Sequence, residues 1–277
     1  MFEQQWIDNN IVQFSMARRM FTKNLYKVSC YYADGLLIDT GSSFFDCQLL
    51  DRVRPLSLHT IVNTHCHEDH IGGNHLLQKR LGPDIYAHPE AIPVLADPAL
   101  LSLRKYQKVF FGSPLPSTAK AVERTIQTDR FSFEVVHTPG HSPDHISLFE
   151  RKKGWLICGD AFIGGREKVF RCDYDIGGIV QTYQLILSLP VSILFTGSGK
   201  IIPKPRDAIK RKLAYFEEVI DNVIHLQSQG KNKKQIAREL FGDDRTIRMV
   251  TSGHFSGAHL VHSILNRYKS LKKWNHQ

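Results

Sequence analysis

The sequence predicts a layered α/β domain followed by a basic helical tail. Three observations carry this. Over the first two hundred residues, short β-like runs alternate with loops and occasional helices. Histidines and carboxylates fall on the loops that end apolar runs, where two strand-and-helix series would meet. After Pro203-Lys204-Pro205 the texture changes to apolar residues recurring at helical intervals.

Taken in order, residues 11–17, 25–33 and 36–41 read as consecutive strands, with Ala33-Asp34-Gly35 as the turn between the last two. Residues 59–65 (HTIVNTH) are a buried strand, and 72–82 (GGNHLLQKRLG) is a helix closed by Gly82. A further strand covers 84–89, and 88–106 is helical with interruptions. A second strand series runs through 131–141 and 145–162, with Arg151 to Gly154 as a polar hairpin turn. The last strand lies in 191–200. In the tail, Ile209, Leu213, Phe216, Val219, Ile220 and Val223 share one helical face; two more helical segments cover 233–242 and 257–274. This places a domain over 1–203 and a basic helical extension over 204–277.

With 42 % hydrophobic residues in 277, the chain is globular in composition. No apolar run approaches the ~18–20 residues that span a bilayer, and the N-terminus lacks a basic segment followed by an apolar one. Five scattered cysteines without a CxxC pair fit free thiols in a reducing compartment. The expectation from these readings is a cytoplasmic protein with no membrane partner. The net charge of +9 sits in the tail: from Pro203 onward fifteen Lys/Arg face seven Asp/Glu. Such a bias suits nucleic acid, an acidic membrane, an anionic ligand or a soluble helical face, and the last is the expectation.

Residues 64–74 read THCHEDHIGGN. Neutral imidazole and carboxylate are the preferred ligands of zinc and its neighbours. At an extended strand end, side chains repeat every two residues, so His65 and His67 point one way and Cys66 the other. Asp69 and His70 follow as the chain turns toward a helix, and Gly72-Gly73 removes bulk where backbone must come close. Four ligand-type side chains in six positions indicate a metal site. His141, in TPGHSPDH, and Asp160, in LICGDAF, each follow an apolar strand and add ligand candidates. His59, His75, His88 and His137 are read as structural, and His145 as a hydrogen-bonding group behind the ligands. Tyr106, Phe110 and Phe111 are read as core residues in preference to cleft lining.

THCHEDH has the form HxHxDH. Together with TPGHS and GDAF, in that order and spacing, it makes residues 11–203 resemble a metallo-β-lactamase-fold hydrolase. The resemblance implies an αβ/βα four-layer sandwich with metals at one edge. It also implies that His65, His67 and His141 hold a first ion, that Asp69 and His70 serve a second, and that Asp160 bridges them, with Asp39 of LLIDTG nearby. Zinc is the implied ion, one or two per chain, with iron or manganese as alternatives. In the family's dinuclear members a late P-G-H-G pattern supplies another histidine; here the stretch is Thr196-Gly197-Ser198-Gly199. Three outcomes stay open: a weakened second site, a site completed by His254 or His259, or one ion only.

The chemistry implied is hydrolysis by a metal-bound hydroxide, since a metal brings the pKa of bound water toward ~7. Asp69 orients the hydroxide and carries a proton to the leaving group. The expected substrate is a small ester, thioester or lactone; a phosphodiesterase or nuclease, or a single-iron persulfide dioxygenase, is the alternative. Residues 231–244 resemble the first helix of a helix-turn-helix. As family relatives use such extensions for packing, covering the site or dimerising, nucleic acid is disfavoured as a partner and homodimerisation through the tail helices is an option.

Overall fold

The computed structural model of the chain describes residues 1–7, 9–20 and 23–271. They form two compact units: Met1–His137 with Asp144–Phe162 and Pro190–Lys204, and Thr138–Pro143 with Ile163–Leu189 and the chain from Pro205.

The first unit holds two sheets. One consists of β1 (Phe2–Ile7), β2 (Ile11–Met20), β3 (Lys23–Ala33), β4 (Leu36–Ile38), β5 (Thr60–Val62), β6 (Asp84–Ala87) and β7 (Lys120–Ala121), neighbours in that order. Strands β1 to β4 run antiparallel and β4 to β7 parallel. Asp34 (φ 49°) and Gly35 (φ 83°) join β3 to β4 in two left-handed residues, the geometry a tight hairpin needs. Helices α1 (Asp46–Val53), α2 (Asn74–Leu81), α3 (Ile92–Ala96) and α4 (Lys105–Phe111) belong to the same unit.

The second sheet has β8 (Thr125–Gln127), β9 (Ser132–His137), β10 (Ile146–Glu150) and β11 (Trp155–Ile157). The short β12 (Phe170–Arg171) lies in the other unit, and the sheet is completed by β13 (Ile193–Phe195) and β14 (Ile201–Pro203). Alternation along the strands divides the core in two. Val12, Phe14, Met16, Val28 and Cys30 turn toward Leu49, Val53, Leu77 and Leu95 on the helices. Ile11, Tyr31 and Ala33 turn the other way, against Phe133, Leu148, Trp155 and Phe195 of the second sheet. The central parallel strands β4 and β5, covered on both faces, are apolar where they are buried: Leu36, Leu37, Ile38, Ile61 and Val62 are fully buried, whereas β6 and β7 toward the sheet edge carry the exposed Asp84 and Lys120.

The second unit contains α5 (Ile176–Ser188), α6 (Arg206–Ser228), α7 (Lys233–Phe241), α8 (Arg245–Val250) and α9 (Gly257–Leu271), with β12 paired to β15 (Phe255–Ser256). Ile209, Phe216, Val219 and Val223 are the buried stripe of α6, as the periodicity predicts. Helices α7 and α9 occupy the two later helical segments; the last segment, read to Trp274, ends outside the described residues. One tail cation is internal: Lys212 is 4 % exposed and pairs with Glu167 at 2.8 Å. None of the five cysteines forms a disulfide, and no helix among the described residues is long and apolar enough to cross a membrane.

Candidate metal centre

Within the first unit, β4, β5, β11 and β13 all release their chains toward one cluster. β5 ends at Val62, and Asn63, Thr64 and His65 follow it, buried. His65 Nε2 lies 2.9 Å from His67 Nδ1, so the two imidazoles share one side, while Cys66 packs against the helix-side core. The Cys66 N–H donates to the buried Asp144 carboxylate at 2.8 Å, which pins the loop between the histidines.

Asp39, just past β4, has φ 62° and is 2 % exposed. One carboxylate oxygen accepts from the Thr64 N–H at 2.7 Å; the other accepts from the Thr64 hydroxyl at 2.8 Å and meets His70 Nδ1 at 2.7 Å. This bond assigns the proton to Nδ1 of His70 and turns Nε2 inward. Nε2 is buried and has no hydrogen-bond partner. It stands 3.7 Å from Asp160 Oδ1 and 3.9 Å from Asp69 Oδ2, too far for hydrogen bonds. Ligands about 2.0–2.2 Å from one tetrahedral zinc are ~3.3–3.6 Å apart, so the spacing suits a shared ion. His65, His70 and Asp160 bring ligand atoms within 4.8 Å of one another, all three residues buried. An orphaned imidazole nitrogen facing two carboxylates fits a cation.

The electrostatics agree. Burial opposes a charge on His70, yet Asp39, Asp69 and Asp160 around it push its pKa well above the imidazole norm. Burial lifts the Asp69 carboxyl to about 7; His70 opposes this, while Glu68 and Asp160 add to it. Three carboxylates thus converge on one buried imidazole.

Close backbone approach shapes the rest. A Cβ on Gly72 would come 2.2 Å from Ser43 N and 2.5 Å from Gly41 O, so the double glycine lets the motif loop lie directly on residues 41–43. A Cβ on Gly197 would come 2.2 Å from Asp160 Oδ1 and 3.0 Å from His70 Cε1. The loop after β13 therefore closes the cluster with bare backbone. Next to it, the Ser198 hydroxyl is tied to that of Thr196 at 3.0 Å. His145, fully buried, accepts from the Asp160 N–H at 3.1 Å, in the supporting position its spacing suggests.

Other histidines have local duties. His88 stacks on His137 with ring centroids 4.9 Å apart, and His75 meets the Pro116 carbonyl at 2.7 Å. Phe111 is buried and its carbonyl accepts from Ser42 at 2.8 Å, while Tyr106 and Phe110 are partly exposed. The sequence reading passed over Thr64, Asp144, Gly197 and Glu68; the last is 3 % exposed and takes a hydrogen bond from Gln107 of α4 at 3.0 Å. The Asp144-His145 pair beside TPGHS was the available signal for Asp144.

His141 belongs to the second unit. Gly140, with φ 125°, lies so close to α5 that a Cβ on it would come 2.3 Å from Ile179 N. The Pro139 carbonyl accepts from Thr182 at 2.8 Å, and the Gly140 carbonyl from the Asp175 N–H at 2.8 Å. The loop is thereby fixed to the start of α5, and the His141 ring rests 4.6 Å from that of Tyr174. In the same unit, His259 Nε2 lies 3.0 Å from the Gly253 carbonyl, and His254 groups with Cys172 and Asp173.

Comparison with known proteins agrees with this architecture. At 15 % identity, a beta-lactamase domain protein from Burkholderia ambifaria superposes with TM-score 0.72, over 95 % of this chain and 87 % of that one, a likeness that shows the fold. The hydroxyacylglutathione hydrolase GloC of Haemophilus influenzae is 33 % identical over 139 residues, 46 % of this chain and 63 % of the relative. A hydroxyacylglutathione hydrolase of Legionella pneumophila is 33 % identical over 138 residues, 49 % of this chain and 45 % of the relative. The matches thus span less than two thirds of these relatives. Residues 25–198 match the metallo-beta-lactamase superfamily, and with HxHxDH, the strand-end cluster and the fold in agreement, the chain belongs to that superfamily.

Proposed function

We propose that the protein is a metal-dependent hydrolase of small thioesters, with esters and lactones as the nearest alternatives. The observation that carries the reading is His70, whose Nε2 is buried without a hydrogen-bond partner and faces Asp69 and Asp160. His65, His67 and His141 would hold a first ion, Asp69 and His70 a second, and Asp160 would bridge them. Imidazole and carboxylate together suit zinc, with iron or manganese as neighbours. Ser198, its hydroxyl engaged by Thr196, leaves the second ion with fewer ligands than the first.

When bound, the metal supplies Lewis acidity, which makes a water acidic near pH ~7 and stabilises the oxyanion formed on the substrate carbonyl. Asp39 keeps the His70 proton on Nδ1, so that Nε2 stays a lone-pair donor. Asp69 orients the attacking water, accepts its proton and passes it to the departing thiol. His145 holds the Asp160 backbone and so fixes its carboxylate. The choice of thioester is supported by the two relatives above, both hydroxyacylglutathione hydrolases.

The test is a panel of a hydroxyacylglutathione thioester, an aryl ester, a lactone and a phosphodiester, run with the metal-loaded chain. Thioester turnover that stops on chelation, returns with metal and is lost in Asp160→Asn is expected. Turnover of the phosphodiester alone, or turnover indifferent to chelation, would overturn the reading.

A further inference from the structure

The second unit contains a basic cavity unrelated to the ligands above. It measures about 270 Å³ and is bordered by Lys234 and Arg238 of α7, Arg245 and Arg248 of α8, and Asp243 and Asp244 between them. Lys234 and Arg238 are four residues apart, hence on one face of their helix. Arg245 and Arg248 are three apart on theirs. Ala237, Gly242 and Ala258 add small walls, so the cavity is open to a ligand and not filled by side chains.

The two carboxylates neutralise half of the cavity's positive charge and pair with its two arginines. Arg245 Nε binds Asp243 Oδ2 at 2.7 Å, and Arg248 Nε binds Asp244 Oδ1 at 2.9 Å. The remaining oxygens are used as well. Asp243 Oδ1 accepts from the Arg245 N–H at 3.0 Å, and Asp244 Oδ2 from the Gly257 N–H at 2.9 Å. Each arginine is held through Nε, which leaves the Nη pair of its planar fork for another acceptor. Four cations against two carboxylates give the rim a surplus of +2. A planar fork with paired donors matches the oxygens of a phosphate group, which it binds bidentately.

We infer that this cavity is a binding site for the phosphate group of a small phosphorylated molecule. Its volume lies near the lower end of the ~300–1,000 Å³ typical of ligand pockets, so a compact ligand suits it better than a polymer. The two carboxylates on the rim would also interrupt a track for a polyanionic chain. The inference is independent of the hydrolytic reading, and binding is measured without turnover.

The experiment titrates the full chain with inorganic pyrophosphate by calorimetry at constant ionic strength. Three proteins are compared: wild type, Lys234→Gln/Arg238→Gln, and Lys210→Gln/Arg211→Gln, which removes the same charge from α6. Among the described residues neither Lys234 nor Arg238 forms a direct ion pair, although Arg238 acts on Asp243 at longer range, so Lys234→Gln/Arg238→Gln should fold, and its melting temperature checks this. A loss of affinity of at least tenfold in Lys234→Gln/Arg238→Gln, with the α6 variant within twofold of wild type, is the expected result. Equal weakening in both variants, or no saturable binding by wild type, would overturn the site. A parallel arm uses vesicles containing phosphatidic acid: sedimentation with vesicles that pyrophosphate abolishes assigns the same site to a lipid headgroup, and no sedimentation assigns it to a soluble ligand. Tight binding of a single-stranded oligonucleotide that both variants weaken alike would replace the inference with a nucleic-acid surface.

Discussion

Asp39 shows how much of the candidate centre rests on a residue outside the proposed ligand set. Its carboxylate joins the end of β4 to the start of the motif through Thr64, and fixes the His70 tautomer. Asp39→Asn keeps the size and removes the charge. Metal affinity should fall ~10–100-fold, as for other partners behind metal-bound histidines. The variant should also change the pH dependence of the chelated protein's stability. In wild type, Asp69 titrates at about 7 in the fold, above its ordinary 3.8, so the folded state binds more protons and stability falls as pH rises through that window. His70, raised well above 6.5, adds stability below 6.5 that is lost as pH climbs through its folded value. With Asp39 neutral, the part of this loss above pH 6.5 should shrink, which melting curves between pH 5 and 9 would record. The sequence displayed the ligand candidates because they crowd into one stretch. It hid Thr64, Asp144 and Gly197, whose roles depend on backbone from distant elements.

Elements whose period was clear in the sequence formed as read. α2 ends at Gly82, which takes the left-handed φ of 73° that glycine tolerates, and α6 follows its apolar stripe. α5 escaped because IGGIVQTYQLILS is rich in β-branched residues and carries two glycines in its first turn. It is also buried over most of its surface, with Ile176, Ile179, Val180, Tyr183 and Ile186 inside, and its narrow exposed face mixes Gln181, Gln184 and Ser188 with the apolar Leu185, which weakens the period. β1 escaped for the opposite reason, its middle residues being exposed and polar. The glycines of α5 have a positional purpose. A Cβ on Gly178 would come 2.9 Å from Gly140 Cα, so the helix start and the His141 loop touch through bare backbone. Gly178→Ala should destabilise by roughly 1–3 kcal/mol through overpacking, measured by urea denaturation. Because the displaced loop carries His141, metal affinity should fall with it; a drop in stability alone would separate that loop from the centre.

At the scale of the whole molecule, fold class and ligand candidates were legible because one requirement ties them together. Parallel and mixed strands buried on both faces must be apolar, and their polar chemistry is confined to the loops at their ends. Leu36–Ile38, Ile61–Val62 and Trp155–Ile157 therefore read as core, and the residues after them as site. The positive charge was legible as a surplus placed in the tail, without its partition into sites. Its division into a buried Lys212–Glu167 pair, surface pairs and the α7–α8 cavity depends on tertiary placement. The central claim is that the strand-end cluster holds metal, with its second position weakened by Ser198. The most direct measurement is the metal content of the native protein beside Ser198→His, after dialysis against metal-free buffer. The account predicts about one tightly held ion in the native protein and close to two in the variant. Native protein that retains no metal, or two ions held equally in both, would contradict it.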